Sequence, residues 1–599
     1  MAWANTLRAY LKESFSIDLR AMALLRVGLA SIMLFDLAIR AGDLNVFYTD
    51  GGVLPRSVSL AESGGNIIPF HYVSGSVGIE AILFLIAAVF AVMMLFGYKT
   101  RWATIASWLM LLSLHDRNRE IIMGGDFETR QILFWAMFLP LNVYWSIDAA
   151  LSEELVKPAA ARITKYFSWA GVGLLAQVAS IYFFSFFMKS GPAWRIDYSA
   201  LYRVYSVDEL ANDIGRWMLN FPSTTRWMTV ATLVVELSAP VLLLLPWRKE
   251  WLRTAGCFAL IGLQCGIMLT MHVGPFPYIS ILALVAILPT SVWDRICKGP
   301  LQPLAVYFDG GCSFCITMCK IIRELGFCSH VVFRPAQSDA AMHELMKEKK
   351  SWIVVDPANV QHFKTDALAE LYSASQCWAV RWKGVFLRLK AVQRIGDSLY
   401  VCIEQNRDRL SQWFGEIRPS TVSTTTTTAS DWLAIFFLAL IVALNFSSAH
   451  WVTTGNDELG QLGQVFHIEQ GWKMFAPEPI SKTGWYVMPA QLVNGHEIDL
   501  FRNGAPVSFV QPSGSEIAAQ LPNERWRTYL VKFAWSSNMD QRHEFARFLC
   551  QRWNEDRDLF DPMRVKSLEI DHFERKINGI GQPQENYEKI QLIKYECGY

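Results

Sequence analysis

Charge is scarce in this chain. Asp, Glu, Lys and Arg make up 18% of its 599 residues, against about 25% in an ordinary soluble domain. Neither sign dominates, with 55 Lys/Arg facing 54 Asp/Glu for a net +1. That balance excludes a global basic field of the kind that holds a polyanion, and nucleic acid is not an expected partner. Cysteine is also sparse, 11 in all, too few for a disulfide-stapled scaffold. No small-residue cleavage site follows a brief apolar stretch at the N-terminus, so no signal peptide is expected. What the chain has in excess is apolar surface. AVILMFWYC residues reach 52%, with 23 Trp and 37 Phe, and the mean hydropathy is +0.21. Disorder is excluded, and the length suggests roughly four domains. The composition describes a membrane protein with soluble parts.

A bilayer core of about 30 Å needs roughly 20 mostly apolar residues in a helix. Candidate runs fall at 21–39, 77–96, 102–114, 131–147, 167–188, 228–247, 252–272 and 276–292, and a ninth stands alone at 432–446. The third, fourth and ninth are short. Lys and Arg favour the inner loops, Lys99, Arg101, Lys165 and Arg253 among them. With the N-terminus inside, residues 301–430 are expected in the cytoplasm and the C-terminal region outside, in a bacterial inner membrane. The expected fold is an α-helical polytopic bundle of about nine spans with an inserted α/β domain and a mixed, β-rich extracytoplasmic domain. The divisions read 1–298 for eight spans, 301–415 for the insertion, 416–430 for a Thr-rich linker, 431–449 for the ninth span and 450–599 for the outer domain. Strands are expected at 304–308, 331–333 and 353–355, and again at 485–488, 498–501, 507–510 and 529–534. Helices are expected at 316–325 and 544–553.

The sharpest local motif is Asp309-Gly310-Gly311-Cys312-Ser313-Phe314-Cys315. It follows a strand-like run and opens a helix. A sulfur at a helix N-terminus faces unpaired N–H groups and the positive dipole end, which favour thiolate. A second Cys one turn on can resolve a mixed disulfide, and Asp309 can move the proton. Half of a zinc site is the alternative, since Cys-x-x-Cys also ligates metal. These residues, with Val354-Val355-Asp356-Pro357 and Thr365-Asp366-Ala367-Leu368, resemble the DCC family of thiol–disulfide oxidoreductases over about 304–375. The resemblance implies a thioredoxin-like fold, a redox-active Cys312–Cys315 disulfide, Cys312 as attacking thiol and Cys315 as resolving thiol.

A second constellation lies in the membrane half. The fifth run ends Tyr182-Phe183-Phe184-Ser185-Phe186-Phe187-Met188-Lys189, with Trp194 shortly after. A lysine there snorkels to the interface, or, desolvated among phenylalanines, acts as a base. Asp36, Arg40, Asp126 and Arg130 share its expected side, and ionisable groups in spans usually mark a site. Asp18-Leu19-Arg20 with Arg26, the stretch Phe47–Arg56, Gly124-Gly125-Asp126, Phe134-Trp135 and Trp472-Lys473-Met474-Phe475-Ala476-Pro477 resemble the HTTM family over about 16–293 and beyond the ninth span. That membrane domain is shared with vitamin K-dependent γ-glutamyl carboxylase. The resemblance implies Lys189 as a base toward a reduced, vitamin K-like quinone and Asp126 in the place of the family's catalytic histidine. Arg130, Tyr182, Trp194 and His272 are expected to bind substrate beside Lys189, with capping or interfacial anchoring the alternative for His272, and a secreted peptide or protein is an expected partner. Glu80 and Glu236 could pair with Arg26 or line a cavity. Cys550 and Cys597, an even pair on the outer side, are expected to form a structural disulfide.

Overall fold

Asp18 starts the first membrane-length element. Its carboxylate accepts the Arg20 N–H at 2.8 Å and caps α1 (Leu19–Gly42), then holds the Arg20 guanidinium. The structure is a computed structural model and describes residues 10–62, 67–152, 155, 163–245, 250–298, 303–328, 330–414, 422, 427–449, 451, 458–468, 471–583 and 585–598. After α1 come α2 (Val77–Phe96), α3 (Thr100–Arg117), α4 (Gly124–Ala136), α5 (Trp169–Met188), α6 (Pro222–Leu244), α7 (Glu250–Thr270), α8 (Phe276–Ala286) and α9 (Thr290–Ile296). They pack around Leu25, Leu29, Trp135, Val178 and Leu260, all buried.

Polar contacts define the two ends of this bundle. At one end Arg20 reaches Asp294 of α9 at 2.6 Å. Arg26, fully buried, donates to the carbonyls of Met94, Leu95 and Trp145, so it satisfies the C-terminus of α2. Asp148 accepts the N–H groups of Lys99 and Thr100 where α3 begins. At the other end Arg40, His115 and Asp126 meet, from the end of α1, the end of α3 and the start of α4.

Among the described residues six helices are long and apolar enough to cross a membrane, or seven if α8 and α9, bent by 96°, form one span. The expected count of nine is therefore not reached by length and composition. The run at 102–114 does lie in a helix that joins the two ends, but Arg101, His115, Asp116 and Arg117 crowd its termini. The run at 131–147 stops being helical at Ala136, and the chain turns before Pro140. The isolated ninth run is α16 (Thr428–Ser448). Most of the linker 416–430 lies outside the described residues.

The inserted unit contains β1 (Ala305–Phe308), α10 (Ser313–Leu325), β2 (Val332–Pro335), α11 (Ala340–Lys349), β3 (Ile353–Val355), β4 (Gln361–Phe363), α12 (Lys364–Ser373), α13 (Trp378–Leu387), α14 (Lys390–Gln405) and α15 (Arg407–Phe414). Its sheet runs β2-β1-β3-β4, with β1 parallel to β2 and the other pairs antiparallel. Crossover helix α10 lets the first pair be parallel. Val306, Phe308, Phe333, Val354 and Leu371 form its core. It sits at the first bundle end. The Trp145 N–H donates to Glu324 at 2.8 Å, the Trp145 and Phe327 rings are 4.0 Å apart, and Arg323 donates to the Leu155 carbonyl. The thiols of Cys297, which closes α9, and Cys377, which precedes α13, hydrogen-bond each other.

The C-terminal unit sits at the opposite end. Its sheet of β5 (Lys482–Val487), β6 (Pro489–Leu492), β7 (Glu497–Asp499), β8 (Val565–Lys576) and β9 (Glu588–Glu596) is antiparallel. Helices α17 (Glu524–Trp535) and α18 (Met539–Asn554) pack on it. Two strand expectations fail. Residues 529–534 are helical, because Trp526, Tyr529, Leu530 and Phe533 recur at helical spacing and bury one face of α17. Residues 507–510 form no strand. The expected Cys550–Cys597 disulfide is present and ties α18 to the end of β9.

Candidate functional site

The first site is built where β1 ends and α10 begins. Cys312 is the N-cap of α10, and its sulfur accepts the Cys315 N–H at 3.3 Å. The motif thus uses the thiol where a Ser or Asp side chain usually caps. Cys312 is buried, whereas Cys315 is half-buried and opens on a cleft of about 90 Å³ lined by Met318, Trp352, Tyr400, Glu404 and Arg407. Burial and the bond to Cys312 raise the Cys315 thiol well above its ordinary range. Asp309 lies beside the pair. One oxygen accepts from the Gly311 N–H at 3.0 Å and the Gln337 amide at 2.8 Å, and the other meets Arg407 at 3.2 Å.

Arg407 escaped the sequence reading. It starts α15, and its guanidinium senses Cys315, Cys312 and Asp309 together, so it is the cation of the site. Cys319, one turn beyond Cys315, and Cys328 are buried, which pushes each thiol up to about 12. Both pack as small apolar side chains. Among the described residues no three His, Cys, Asp or Glu side chains converge as metal ligands. The arrangement can exchange a dithiol for a disulfide, with a helix N-terminus and an arginine stabilising the sulfur that carries charge.

The second site is inside the bundle. Lys189, buried at the end of α5, donates to Ser185 at 2.7 Å and pairs with Glu236 of α6 at 2.5 Å. Its ammonium lies 5.0 Å above the Trp194 ring. Trp194 is buried, and its indole donates to the Phe475 carbonyl at 2.8 Å. Lys189, Trp194 and the Trp472–Pro477 segment, separate in sequence, therefore meet, and the Gly191 N–H also donates to Pro477. Lys189 is neither snorkelling nor isolated among phenylalanines, because Glu236 faces it. Arg26 pairs with neither glutamate, since Glu80 bonds His71 at 2.7 Å. Tyr182, on the Lys189 face of α5, accepts from Gln264 at 3.0 Å.

Asp126 belongs to a different cluster. It accepts from Arg40 at 2.9 Å and from Arg525 of α17, which also holds Asp36. His115 stands 3.5 Å from it. Among the described residues this cluster shares no hydrogen bond or ion pair with Lys189. Arg130 is buried one turn along α4, its guanidinium 4.6 Å over the Phe127 ring. His272 is exposed and lines a cavity of about 630 Å³ with Asp36, Arg525, Phe35 and Met268. Sequence reasoning missed His115 and Arg525, and it named Glu236 without its partner Lys189. Only Glu236, an ionisable residue within a span, gave a signal.

Residues 306–413 match the family described as DCC1-like thiol-disulfide oxidoreductase. This stretch of the chain is a domain of that kind, attached to several apolar helices. No curated protein and no solved structure matches the chain.

Proposed function

We propose that the protein is an integral membrane thiol–disulfide oxidoreductase in which Cys312 attacks a substrate disulfide and Cys315 resolves the mixed disulfide. The observation that carries this reading is the Cys312 sulfur at the α10 N-terminus, accepting the Cys315 N–H with Arg407 beside the pair. The β2-β1-β3-β4 order, with one parallel pair and two antiparallel ones, supports a thioredoxin-like unit. The reaction balances within the pair: two thiols lose their protons and form one S–S bond, and the substrate disulfide becomes two thiols. The test uses Cys315→Ser protein, which should accumulate a mixed disulfide through Cys312 that Cys312→Ser cannot form. Stoichiometric zinc lost on Cys315→Ser, with no trapped substrate, refutes it.

A second reading concerns the bundle, where we infer a site for a quinone-type or peptide substrate at Lys189. Two buried acceptors, Glu236 Oε2 and Gln264 Oε1, have no partner among the described residues and support it, and a hydroquinone, which donates two O–H groups, fits acceptors of this kind. A reduced quinone, when bound, supplies two electrons and two protons. Lys189 and Glu236 would hold or move a proton at its hydroxyl, and Trp194 would fix the lysine. Carboxylase-like activity rests on the HTTM resemblance alone, and Asp126 lies outside the Lys189 cluster. Full function in Lys189→Arg protein would end the catalytic role of this residue, because arginine keeps the charge but stays protonated. A bundle that only scaffolds maturation of a secreted peptide would give that result. For location, we propose a bacterial inner membrane, with the Cys312–Cys315 unit cytoplasmic and the C-terminal unit periplasmic. Their positions at opposite bundle ends support this.

A further inference from the structure

The redox unit carries an apolar face that its own core leaves uncovered. On α13 and the residue pair after it, Trp378, Trp382, Val385, Phe386 and Leu389 recur at the spacing of one helix face. All are exposed, Trp382 by 66% and Phe386 by 58%. The pattern continues on α14, which buries no residue, where Ile395, Leu399 and Ile403 stand one turn apart and exposed. A soluble domain rarely leaves so many large apolar side chains in water without using them.

Two further observations indicate what covers this face. The first is charge. From Trp378 to Arg394 the chain has five Lys/Arg and no Asp/Glu, in a protein whose total is almost balanced. Arg388 meets Glu370 of α12, while Arg381, Lys383, Lys390 and Arg394 have no ion pair among the described residues. Basic residues beside an aromatic, amphipathic helix suit an anionic bilayer surface. The second is position. Cys377 immediately precedes α13, and its free thiol lies against that of Cys297 at the end of α9. The face therefore begins at the end of the bundle, where the chain leaves it.

We propose that α13 and α14 lie in the headgroup layer of the membrane that the bundle spans, with an anionic lipid surface as their partner. The proposal rests on the membrane reading of the bundle. It gives the redox unit two attachments, one through Trp145 and one through this face. Glu324 and Phe327, at the C-terminal end of α10, are fixed to the bundle. Cys312 is at the other end of that 13-residue helix, about 20 Å away at 1.5 Å per residue. Ile403, in the last turn of α14, also lines the Cys315 cleft, so the dithiol sits beside the end of this face away from α13, within reach of a soluble disulfide.

The test places a photocrosslinking residue at Trp382, at Phe386, at Ser338 near the dithiol, or at Val89, an exposed position of α2. Full-length protein is reconstituted in nanodiscs of phosphatidylcholine, with and without phosphatidylglycerol. Lipid adducts are expected at Val89, Trp382 and Phe386 but not at Ser338. The yield at Trp382 and Phe386 should rise several-fold with phosphatidylglycerol, and combined Arg381→Gln, Lys383→Gln and Lys390→Gln changes should remove that rise. Lipid adducts at Val89 with none at Trp382 or Phe386, or adducts there to a second copy of the chain, overturn the proposal. Absence of lipid adducts at Val89 as well overturns the membrane reading and this proposal with it.

Discussion

Arg407 and Lys189 are both cations facing reactive surroundings, and different changes expose their roles. Replacing Arg407 by Gln removes the positive charge nearest the thiol pair. A guanidinium favours the charged form of a nearby sulfur, so less thiolate is available without it. Alkylation of Cys312 in Arg407→Gln protein at neutral pH should slow by about 3–10-fold. An unchanged rate would make Arg407 merely a partner of Asp309. Burial raises the Cys315 thiol and persists when Cys312 is held in a mixed disulfide, so release by Cys315 should accelerate as pH rises through and beyond the ordinary thiol range. A release rate that is flat above neutrality would place the resolving thiolate elsewhere. Lys189 and Glu236 form a buried pair, and removing one partner of such a pair costs about 3–5 kcal/mol. Lys189→Met should lower the unfolding temperature in detergent, and adding Glu236→Gln should recover most of the loss. The Cys-x-x-Cys was legible in the sequence because a cap, a turn and a resolving thiol all act within seven residues. Arg407, 98 residues from Asp309, and Glu236, 47 from Lys189, meet their partners only through tertiary packing.

Helix α17 joins the C-terminal unit to the bundle through Trp526, which donates to Asp43 and packs on Phe47, and through the buried Arg525. Arg525 ties Asp126 and Asp36, and its guanidinium also donates to the Ile121 carbonyl at 2.9 Å. Arg525→Met leaves two carboxylates short of a cation and should destabilise the protein by about 3–5 kcal/mol. Proteolysis of the C-terminal unit in membranes should accelerate accordingly, while the redox unit keeps its thiol reactivity. Equal loss in both units would mean that the whole chain unfolds together. The same helix shows why part of the fold was illegible. Residues 529–534, Tyr-Leu-Val-Lys-Phe-Ala, read as a strand on residue preference, and the burial of Trp526, Tyr529, Leu530 and Phe533 against β5 and β8 overrides that preference. Spans α1, α2, α5, α6, α7 and α16 were legible because length and apolarity alone define them. α3 and α4 do not meet the length and apolarity of a span, because polar contacts inside the bundle let short, charged helices stay buried.

At the scale of the whole molecule, the chain separates two kinds of sulfur chemistry by the length of its helical bundle. The Cys550–Cys597 bond belongs to the unit at one end, and the Cys312–Cys315 pair to the unit at the other. If the bundle spans a membrane, the decisive property of a reductant becomes its charge rather than its potential. A membrane-impermeant phosphine added to intact cells should open Cys550–Cys597 and leave the redox state of Cys312 and Cys315 unchanged. The same reagent on inverted vesicles should do the reverse. Attack on both pairs from one side would place the two units in one compartment. A bulk thiol titration of dissolved protein, by contrast, adds the two populations and conceals the difference. For this chain the oxidation state of a cysteine is therefore a property of an address, and it can be read only while the barrier between the two addresses is intact.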